Sequence, residues 1–194
     1  MTSPWPVTLR EENLILRPLR LRDRKSWDEV RAANREWLSP WEATKPVVPG
    51  QAESGGLPSF YEMVASHRRD GRSARSFSLA IWLRESGSER FIGQITLGGV
   101  VFGALRGAHI GYWIDSRYAN RGLTSRAVNL VSSFAFDALG IHRIEINLRP
   151  ENAASKRVAE KCGYIFESVR PRFLHIDGDW RDHLTYVKEN PKVR

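Results

Sequence analysis

One stretch of regular helical periodicity lies between two β-rich segments. Gly140 ends it, an alternating segment follows at residues 143–148, and an apolar segment precedes it at residues 109–115. A helix that joins two strands has to bury its apolar face against a sheet. An α/β (α+β) fold is therefore expected. The apolar positions recur at spacings of three and four residues: Ala127, Leu130, Val131, Phe134, Ala135 and Ala138.

The remaining segments extend this order of strands and helices in both directions. Strands are expected at residues 14–18, 76–83, 91–101, 109–115 and 143–148, with two more around the Asp-Gly turn at residues 176–179. Helices are expected at residues 21–38 and 60–69, from about 123 to Gly140, and at 154–162, with an irregular connection at residues 39–59. This order predicts a mixed central sheet of about seven strands, flanked on both faces by about four helices.

Length and composition fit one domain spanning residues 1–194. Of its 194 residues, 41% are hydrophobic and 27% are charged, which is typical of a globular domain that buries one core. No apolar run approaches the roughly 20 residues of a membrane span. The N-terminus also lacks the basic and apolar regions of a signal peptide. A cytoplasmic protein with no membrane contact is expected.

The chain carries a formal net charge of +8 at pH 7. Such a charge suits a polyanionic partner: nucleic acid, a ribosome surface or a multiply phosphorylated cofactor. The basic residues are spread along the chain and form no tail, so the charge can equally serve solubility. Contact with ribosomal RNA therefore stays one of two interpretations.

A single cysteine, Cys162, limits the metal and redox chemistry open to this chain. One cysteine excludes an internal disulfide and a multi-cysteine zinc site. Because Cys162 falls near the end of an amphipathic helix, a small buried thiol is favoured over a nucleophile. No metal site is expected.

Two strand-to-helix junctions carry the candidate chemistry. In the first, a strand ending at Asp115 is followed by Asn120-Arg121-Gly122, which opens the long helix. Glycine permits close backbone approach, and the helix start offers free N–H groups and a positive dipole end, which suits a pyrophosphate. The alternative is that glycine and arginine only mark a turn.

The second junction is Pro150-Glu-Asn152-Ala-Ala-Ser155, which follows a strand and starts a helix. Asn152 or Ser155 can cap a free helix N–H. The same residue types can instead bind a cofactor or assist catalysis. Taken alone, this segment leaves the two interpretations open.

Together the junctions resemble the GNAT N-acetyltransferases over nearly the whole chain, and within them the RimJ/RimL group, which acetylates N-terminal amines of ribosomal proteins. The C-terminal motif, Leu174-x-Ile-Asp-Gly-x-Trp-Arg-Asp-His183, is long and points to RimJ-type enzymes. The residues that carry the likeness are Trp37-Leu-x-Pro40-Trp41, Ile110-Gly-Tyr112, Arg121-Gly122-Leu123, His142-Arg-Ile144, Pro150-x-Asn152-x-x-Ser155, Lys161-x-Gly163-Tyr164 and Leu174-x-Ile-Asp-Gly-x-Trp-Arg-Asp-His183.

The resemblance implies acetyl-CoA as cosubstrate and a protein N-terminus as acceptor, for example an N-terminal alanine of a ribosomal protein. It places the pyrophosphate at Arg121-Gly122 and pantetheine along the strand at residues 111–115. The residues it assigns to the cofactor are Tyr112, Trp113, Ile114, Asn120, Arg121, Gly122, Leu123, Thr124, Ser125, Asn152 and Ser155.

The chain also departs from the family pattern. Ala119, Thr124 and Arg126 replace the residues that relatives favour at those positions in the phosphate loop, whose contacts are largely backbone. Many relatives place an acidic tyrosine seven residues after the asparagine, where this chain has Ala159. Attention therefore moves to Ser155 as the group that hydrogen-bonds the departing thiol.

Acetyl transfer to an α-amine needs only a modest base. An α-amine has a pKa of about 7.7–8.0, whereas a lysine near 10.4 is neutral about once in a few thousand molecules at pH 7. Glu145 and Asn147 lie on one face of their strand, two residues apart. Glu145 is the candidate base, acting directly or through water. The alternative is a charge on a solvated face. Asn152 would orient the cofactor, and backbone N–H groups near Trp113 and Ile114 would polarise the thioester.

Acceptor recognition is assigned to Trp37, Trp41, Trp180 and His183. Core packing is the alternative for tryptophans, and it is preferred for Trp27. Two other functions stay open: acetylation of a small amine, and a ribosome- or RNA-binding assembly factor with this fold. The oligomeric state is left as monomer or homodimer.

Overall fold

A computed structural model describes residues 3–50 and 58–193. Its strands form one mixed sheet in the order β1-β2-β3-β4-β5-β6-β8-β7. Only β5 and β6 run parallel, and the other neighbours are antiparallel. The strands are β1 (Leu9–Glu11), β2 (Leu14–Arg17), β3 (Phe77–Glu85), β4 (Ser88–Val101), β5 (Gly107–Ile114), β6 (Arg143–Leu148), β7 (Ile165–Ile176) and β8 (Asp179–Glu189).

Five α-helices accompany the sheet in the described part of the chain, so the expected α/β class is confirmed. Short 3-10 turns lie at Leu21–Asp23, Ser39–Trp41 and Ser116–Tyr118. None of these helices has the length and apolar character required to cross a membrane. The helices are α1 (Arg24–Ala33), α2 (Arg35–Leu38), α3 (Phe60–Arg72), α4 (Leu123–Ser133) and α5 (Ala153–Lys161).

The expected helix at residues 21–38 is wrong as one element. Asn34 has φ −115°, which breaks the chain between α1 and α2. Its buried amide donates to the Val30 carbonyl at 2.9 Å and its Oδ1 accepts from the Ser116 N–H at 2.8 Å. The break therefore ties α1 to the β5–α4 connection. Of the expected connection at residues 39–59, residues 51–57 lie outside the described residues.

Two apolar clusters cover the two faces of the sheet. The larger lies under α4 and α5 and includes Ala127 and Val131, and the smaller lies under α1 and α3 and includes Val30 and Val64. The predicted apolar face of α4 is right as far as Ala135. A π-helical turn at Phe134–Ala138 then shifts the face by one residue, so Leu139 is buried and Ala138 is exposed.

The sheet opens between β5 and β6. These strands pair only from Gly107 with Arg143 to His109 with Glu145. Beyond that register they diverge toward their carboxyl ends, and α4 and α5 begin there. The carboxyl ends of adjacent parallel strands are where α/β sheets place ligands. The fold therefore presents a V-shaped opening between β5 and β6, here called the splay, with its vertex at His109 and Glu145.

Candidate active site

A cleft of about 540 Å³ lies along the splay, between β5 and the first turns of α4 and α5. It contains ten of the eleven residues that the sequence assigned to the cofactor, and Arg121 is the exception. Trp37 and Trp41 also line it, whereas Trp180, His183 and Glu145 do not. The assigned residues in its wall are Tyr112, Trp113, Ile114, Asn120, Gly122, Leu123, Thr124, Ser125, Asn152 and Ser155.

The start of α4 leaves its first turn open to a ligand. Gly122 is the N-cap, with φ +74°, and provides no side-chain cap. A residue with a side chain is strained in this left-handed conformation. The uncapped N–H groups and the positive end of the helix dipole therefore point into the cleft, which is the arrangement that binds phosphates.

Two cations that the sequence reasoning missed line the cleft beside this helix start. Arg157 and Lys161 lie one turn apart on α5, and Lys161 Nζ is 3.8 Å from where a Cβ on Gly122 would stand. Within the described part of the chain, neither is paired with a carboxylate. Arg121, which was expected to contribute the charge, bonds Glu85 at 3.0 Å and stacks on Tyr118. In the sequence, only the i, i+4 spacing of Arg157 and Lys161 could have indicated that these two cations line the same cleft.

Arg126, one of the departures in the loop, faces away from the cleft. Its guanidinium donates to the Glu11 carbonyl at 2.8 Å and lies 3.2 Å from the Glu12 carboxylate. It therefore joins α4 to the β1–β2 turn. The substitution leaves the phosphate-facing surface of the helix start unchanged.

The free edge of β5 presents alternate backbone groups to the splay. The Asp115 N–H donates to the Ile92 carbonyl at 2.8 Å, so the groups of Trp113, two residues earlier, also point toward β4. A Cβ on Gly93 would indeed lie 2.3 Å from the Trp113 carbonyl oxygen. The backbone N–H and carbonyl groups of Tyr112 and Ile114 face the splay instead. The expectation that the Trp113 N–H polarises the thioester is therefore wrong, whereas the role expected of the Ile114 N–H stays a prediction.

The start of α5 is capped by its own asparagine. Asn152 Oδ1 accepts from the Ser155 N–H at 2.9 Å, as the capping interpretation required, and both residues also line the cleft. The Tyr112 hydroxyl oxygen lies 2.7 Å from Ser155 Oγ and 3.3 Å from the Ser155 carbonyl oxygen. Burial raises the pKa of Tyr112 above its ordinary value, although the hydrogen bond with Ser155 opposes this. The Tyr112 hydroxyl therefore stays protonated at neutral pH.

Glu145 lies on the opposite face of the sheet from this cleft. Ile144 and Ile146 are buried toward α4 and α5, so Glu145 points to the other face, at the vertex of the splay. Its Oε1 accepts from Arg143 at 3.1 Å and its Oε2 from Arg170 at 2.9 Å. The carboxylate is thus fixed by two arginines on the side of the splay that the cleft does not occupy.

The two lining tryptophans form one end of the cleft. Trp37 Nε1 donates to the Ile114 carbonyl at 3.1 Å. Arg149 lies over the Trp41 ring at 5.5 Å and donates to the Pro40 carbonyl at 2.8 Å. Both rings are therefore held by specific contacts at the surface and do not belong to the core, whereas Trp27 packs against the smaller core cluster, as expected.

Trp180 and His183 belong to the β7–β8 hairpin, beside the end of the cleft that Trp37 and Trp41 form. Trp180 is 40% exposed and packs edge-on against His175. His183 is buried, and burial lowers its pKa, so its ring is neutral at pH 7. The hairpin contacts the segment after α2, since the Thr44 N–H donates to the His175 carbonyl at 2.9 Å. The structure places Trp180 and His183 near Trp37 and Trp41 but outside the cleft.

The single cysteine is a buried thiol, as expected. Cys162 is 4% exposed, and its Sγ lies 3.4 Å from the Ser125 carbonyl. Burial raises the pKa of the thiol, although the hydrogen bond to Ser125 and the nearby lysines Lys188 and Lys161 oppose this. Such a thiol is a poor nucleophile at neutral pH.

Known proteins share this sequence and fold. The model of the acetyltransferase (GNAT) domain family matches residues 13–165. The ribosomal protein uS5-alanine N-acetyltransferase of Escherichia coli is 29% identical over 189 residues, which cover 95% of this chain and 92% of that one. The probable N-acetyltransferase YjcK of Bacillus subtilis is 39% identical over 103 residues, only 53% of this chain and 57% of that relative.

A solved structure shows the same fold at higher coverage. The RimJ protein of Mycobacterium smegmatis, in complex with CoA-disulfide, superimposes with a TM-score of 0.83 at 33% identity, over 97% of this chain and 90% of that one. The family model matches well over half of the chain, and the RimJ structure spans nearly all of it. The chain therefore belongs to the GNAT acetyltransferase family and is an acyltransferase.

Proposed function

We propose that this enzyme transfers an acetyl group from acetyl-CoA to the N-terminal α-amine of a protein, with a ribosomal protein as acceptor. The observation that carries the proposal is the splay, which opens to both faces of the sheet. The cleft under α4 and α5 suits the cosubstrate, and Glu145 lies at the vertex on the opposite face. An amine that enters from that face reaches the thioester through the opening between β5 and β6, and Glu145 would take its proton through water.

The described residues fit acetyl-CoA along the whole cleft. The uncapped start of α4 and the cations Arg157 and Lys161 suit the phosphates. The free edge of β5 at Tyr112 and Ile114 suits the amides of pantetheine, because strand edges bind extended chains through backbone groups. The thioester supplies an activated acetyl group, and the Ile114 N–H is placed to hold its carbonyl oxygen.

Replacing Lys161 with glutamate is expected to raise the KM for acetyl-CoA about tenfold, with a smaller change in kcat. The reversed charge would remove one charge-assisted contact to a phosphate and add a repulsion. Lys156→Glu is the matched control, because Lys156 lies on the same helix outside the cleft and pairs with Glu160. Initial rates at varied acetyl-CoA concentration measure both variants. An equal rise in KM for both variants would show that only the overall charge matters.

A protein N-terminus is favoured over a small polycationic amine by the charges around Glu145. Arg143 and Arg170 both contact the carboxylate, and Arg149, which directly follows the strand of Arg143, pairs with Glu151. Among the described residues, these ion pairs leave no surplus of carboxylates around Glu145 with which a polyamine or an aminoglycoside could pair. A peptide carries one α-amine, which has a pKa low enough that a modest base suffices. The similarity to the uS5-alanine enzyme over 95% of the chain supports a ribosomal acceptor.

The test is release of CoA thiol from acetyl-CoA against a panel of acceptors. The panel contains peptides beginning with Ala, Ser, Thr or Met, their N-terminally blocked forms, aminoglycosides and polyamines. Turnover with free α-amino peptides alone is expected. Turnover with small amines alone would contradict the acceptor and leave the acyltransferase activity intact. Binding of acetyl-CoA without turnover on any acceptor would favour the ribosome-assembly interpretation.

A further inference from the structure

Two hydroxyl groups meet on the wall of the cleft. Tyr112 comes from β5 and Ser155 from the first turn of α5, and their oxygens are 2.7 Å apart. Ser155 is fixed on its other side as well, because its N–H donates to Asn152 Oδ1 at 2.9 Å. Tyr112 therefore holds the hydroxyl of Ser155, and Asn152 holds its backbone.

The direction of the hydrogen bond decides what the serine hydroxyl can do. A serine hydroxyl has one hydrogen and two lone pairs, and a tyrosine hydroxyl has one hydrogen. The distance of 2.7 Å is ideal for O–H···O, whereas the 3.3 Å to the Ser155 carbonyl is long. When Tyr112 donates to Ser155 Oγ, the hydrogen of Ser155 is free to turn into the cleft.

We propose that Tyr112 is a positioning residue that donates to Ser155 and so aims the Ser155 hydroxyl at the sulfur of the departing CoA thiolate. This inference rests on the proposed use of acetyl-CoA. The amine nitrogen forms a bond to the acetyl carbon and loses a proton to Glu145, directly or through water. The C–S bond breaks, and its electron pair stays on sulfur. The Ser155 hydroxyl donates to that sulfur as the charge develops, when the interaction is strongest.

The pair donates a hydrogen bond and does not deliver a proton. Burial raises the pKa of Tyr112 further above its ordinary 10, whereas thiols titrate near 8.5. A proton would therefore move uphill from Tyr112 to the thiolate, and an alkyl hydroxyl such as that of Ser155 is a weaker acid still. The thiolate takes its proton from water.

The structure offers a matched control for this pair. Tyr164 and Ser132 form a second buried tyrosine–serine pair with the same 2.7 Å separation. Neither residue lines the cleft, and burial raises the pKa of Tyr164 as well. Tyr164→Phe therefore removes the same kind of hydrogen bond without altering the cleft.

The direct experiment titrates the thiol of bound CoA through the ultraviolet absorbance of the thiolate, and needs no acceptor. In the wild type, bound CoA is expected to ionise at lower pH than free CoA. Ser155→Ala is expected to lower the thiolate fraction at a given pH about tenfold, Tyr112→Phe about threefold, and Tyr164→Phe not at all. In turnover, kcat should fall by similar factors, and the Ser155→Ala/Tyr112→Phe double variant should fall no further than Ser155→Ala.

Each outcome bears on a different claim. Equal titrations in all variants, with CoA bound, would overturn the inference and leave the proposed function standing. Independent losses that multiply in the double variant would also overturn it, because Tyr112 would then act without Ser155. Failure of the wild type to bind CoA would overturn the proposed function and this inference with it. If Tyr112→Phe does not fold, the titration of Ser155→Ala against Tyr164→Phe still decides whether Ser155 donates to the sulfur, and equal titrations of these two variants would overturn the inference.

Discussion

A Glu145→Gln variant is expected to lose about a hundredfold in kcat, with the KM for acetyl-CoA unchanged. General base catalysis contributes about 10²–10⁴-fold, and glutamine keeps the shape of the side chain but accepts no proton. The carboxylate lies at the vertex of the splay, away from the cleft, so cosubstrate binding should not change. Steady-state rates across a pH series measure the loss, and the pH dependence that remains should follow the α-amine alone.

Glu167→Gln separates this role from the ion pair. Glu167 pairs with Arg143 at 2.5 Å, just as Glu145 does at 3.1 Å, but Glu167 is exposed on the edge strand β7. Its loss should leave kcat within a factor of about two, since surface ion pairs contribute little. If both variants lose activity equally, the carboxylates only hold Arg143 and the base lies elsewhere.

An Asp23→Asn variant is expected to lose about 3 kcal/mol in the free energy of unfolding. Asp23 and Arg17 are 5% and 8% exposed and are joined at 2.7 Å and 3.1 Å. Asp23 also accepts from the Arg20 N–H at 2.8 Å, at the entry to α1. Removing one partner leaves a buried guanidinium without its charge partner, which typically costs 3–5 kcal/mol. Urea denaturation followed by circular dichroism measures the change.

Asp28→Asn is the control for the buried ion pair. Asp28 also pairs with an arginine, Arg24, but both side chains are about half exposed. The expected change is below about 0.5 kcal/mol, because water and salt screen such a pair. If Asp23→Asn and Asp28→Asn lower the free energy of unfolding equally, burial does not make the Arg17–Asp23 pair more important than an exposed one.

The long helix and its start could be predicted because local signals agree there. Apolar residues at helical spacing fix α4, and Gly122 has the positive φ that only glycine adopts without strain. The capping role of Asn152 follows equally from its position before α5. These features depend on a few neighbouring residues, so the sequence indicates them directly.

Features that depend on distant partners could not be predicted in the same way. The direction of the Trp113 backbone depends on the register between β5 and β4. The break at Asn34 depends on Ser116, 82 residues later. The strand β1 has three residues and forms only by pairing with β2 across a tight turn in which Glu12 has φ +50°. None of these leaves a periodic signal in the sequence.

In the candidate site, too, features with a local sequence signal could be predicted and features that depend on distant partners could not. The candidate cofactor residues were named through the family resemblance that the two junctions carry, and ten of these eleven residues line one cleft. Arg157 and Lys161 resemble solvated positions on a helix, and only the proximity of α5 to Gly122 brings them into the cleft. The contact between Tyr112 and Ser155 joins residues 43 apart, which no spacing rule connects.

The most direct test of the central claim is to locate the transferred acetyl group. A peptide with a free N-terminal alanine and one internal lysine is incubated with the enzyme and acetyl-CoA, and tandem mass spectrometry maps the product. Acetylation of the alanine α-amine and an unmodified lysine are expected, because the lysine amine is almost entirely protonated at pH 7. Acetyl on the lysine side chain, or transfer confined to small amines, would contradict an N-terminal acetyltransferase.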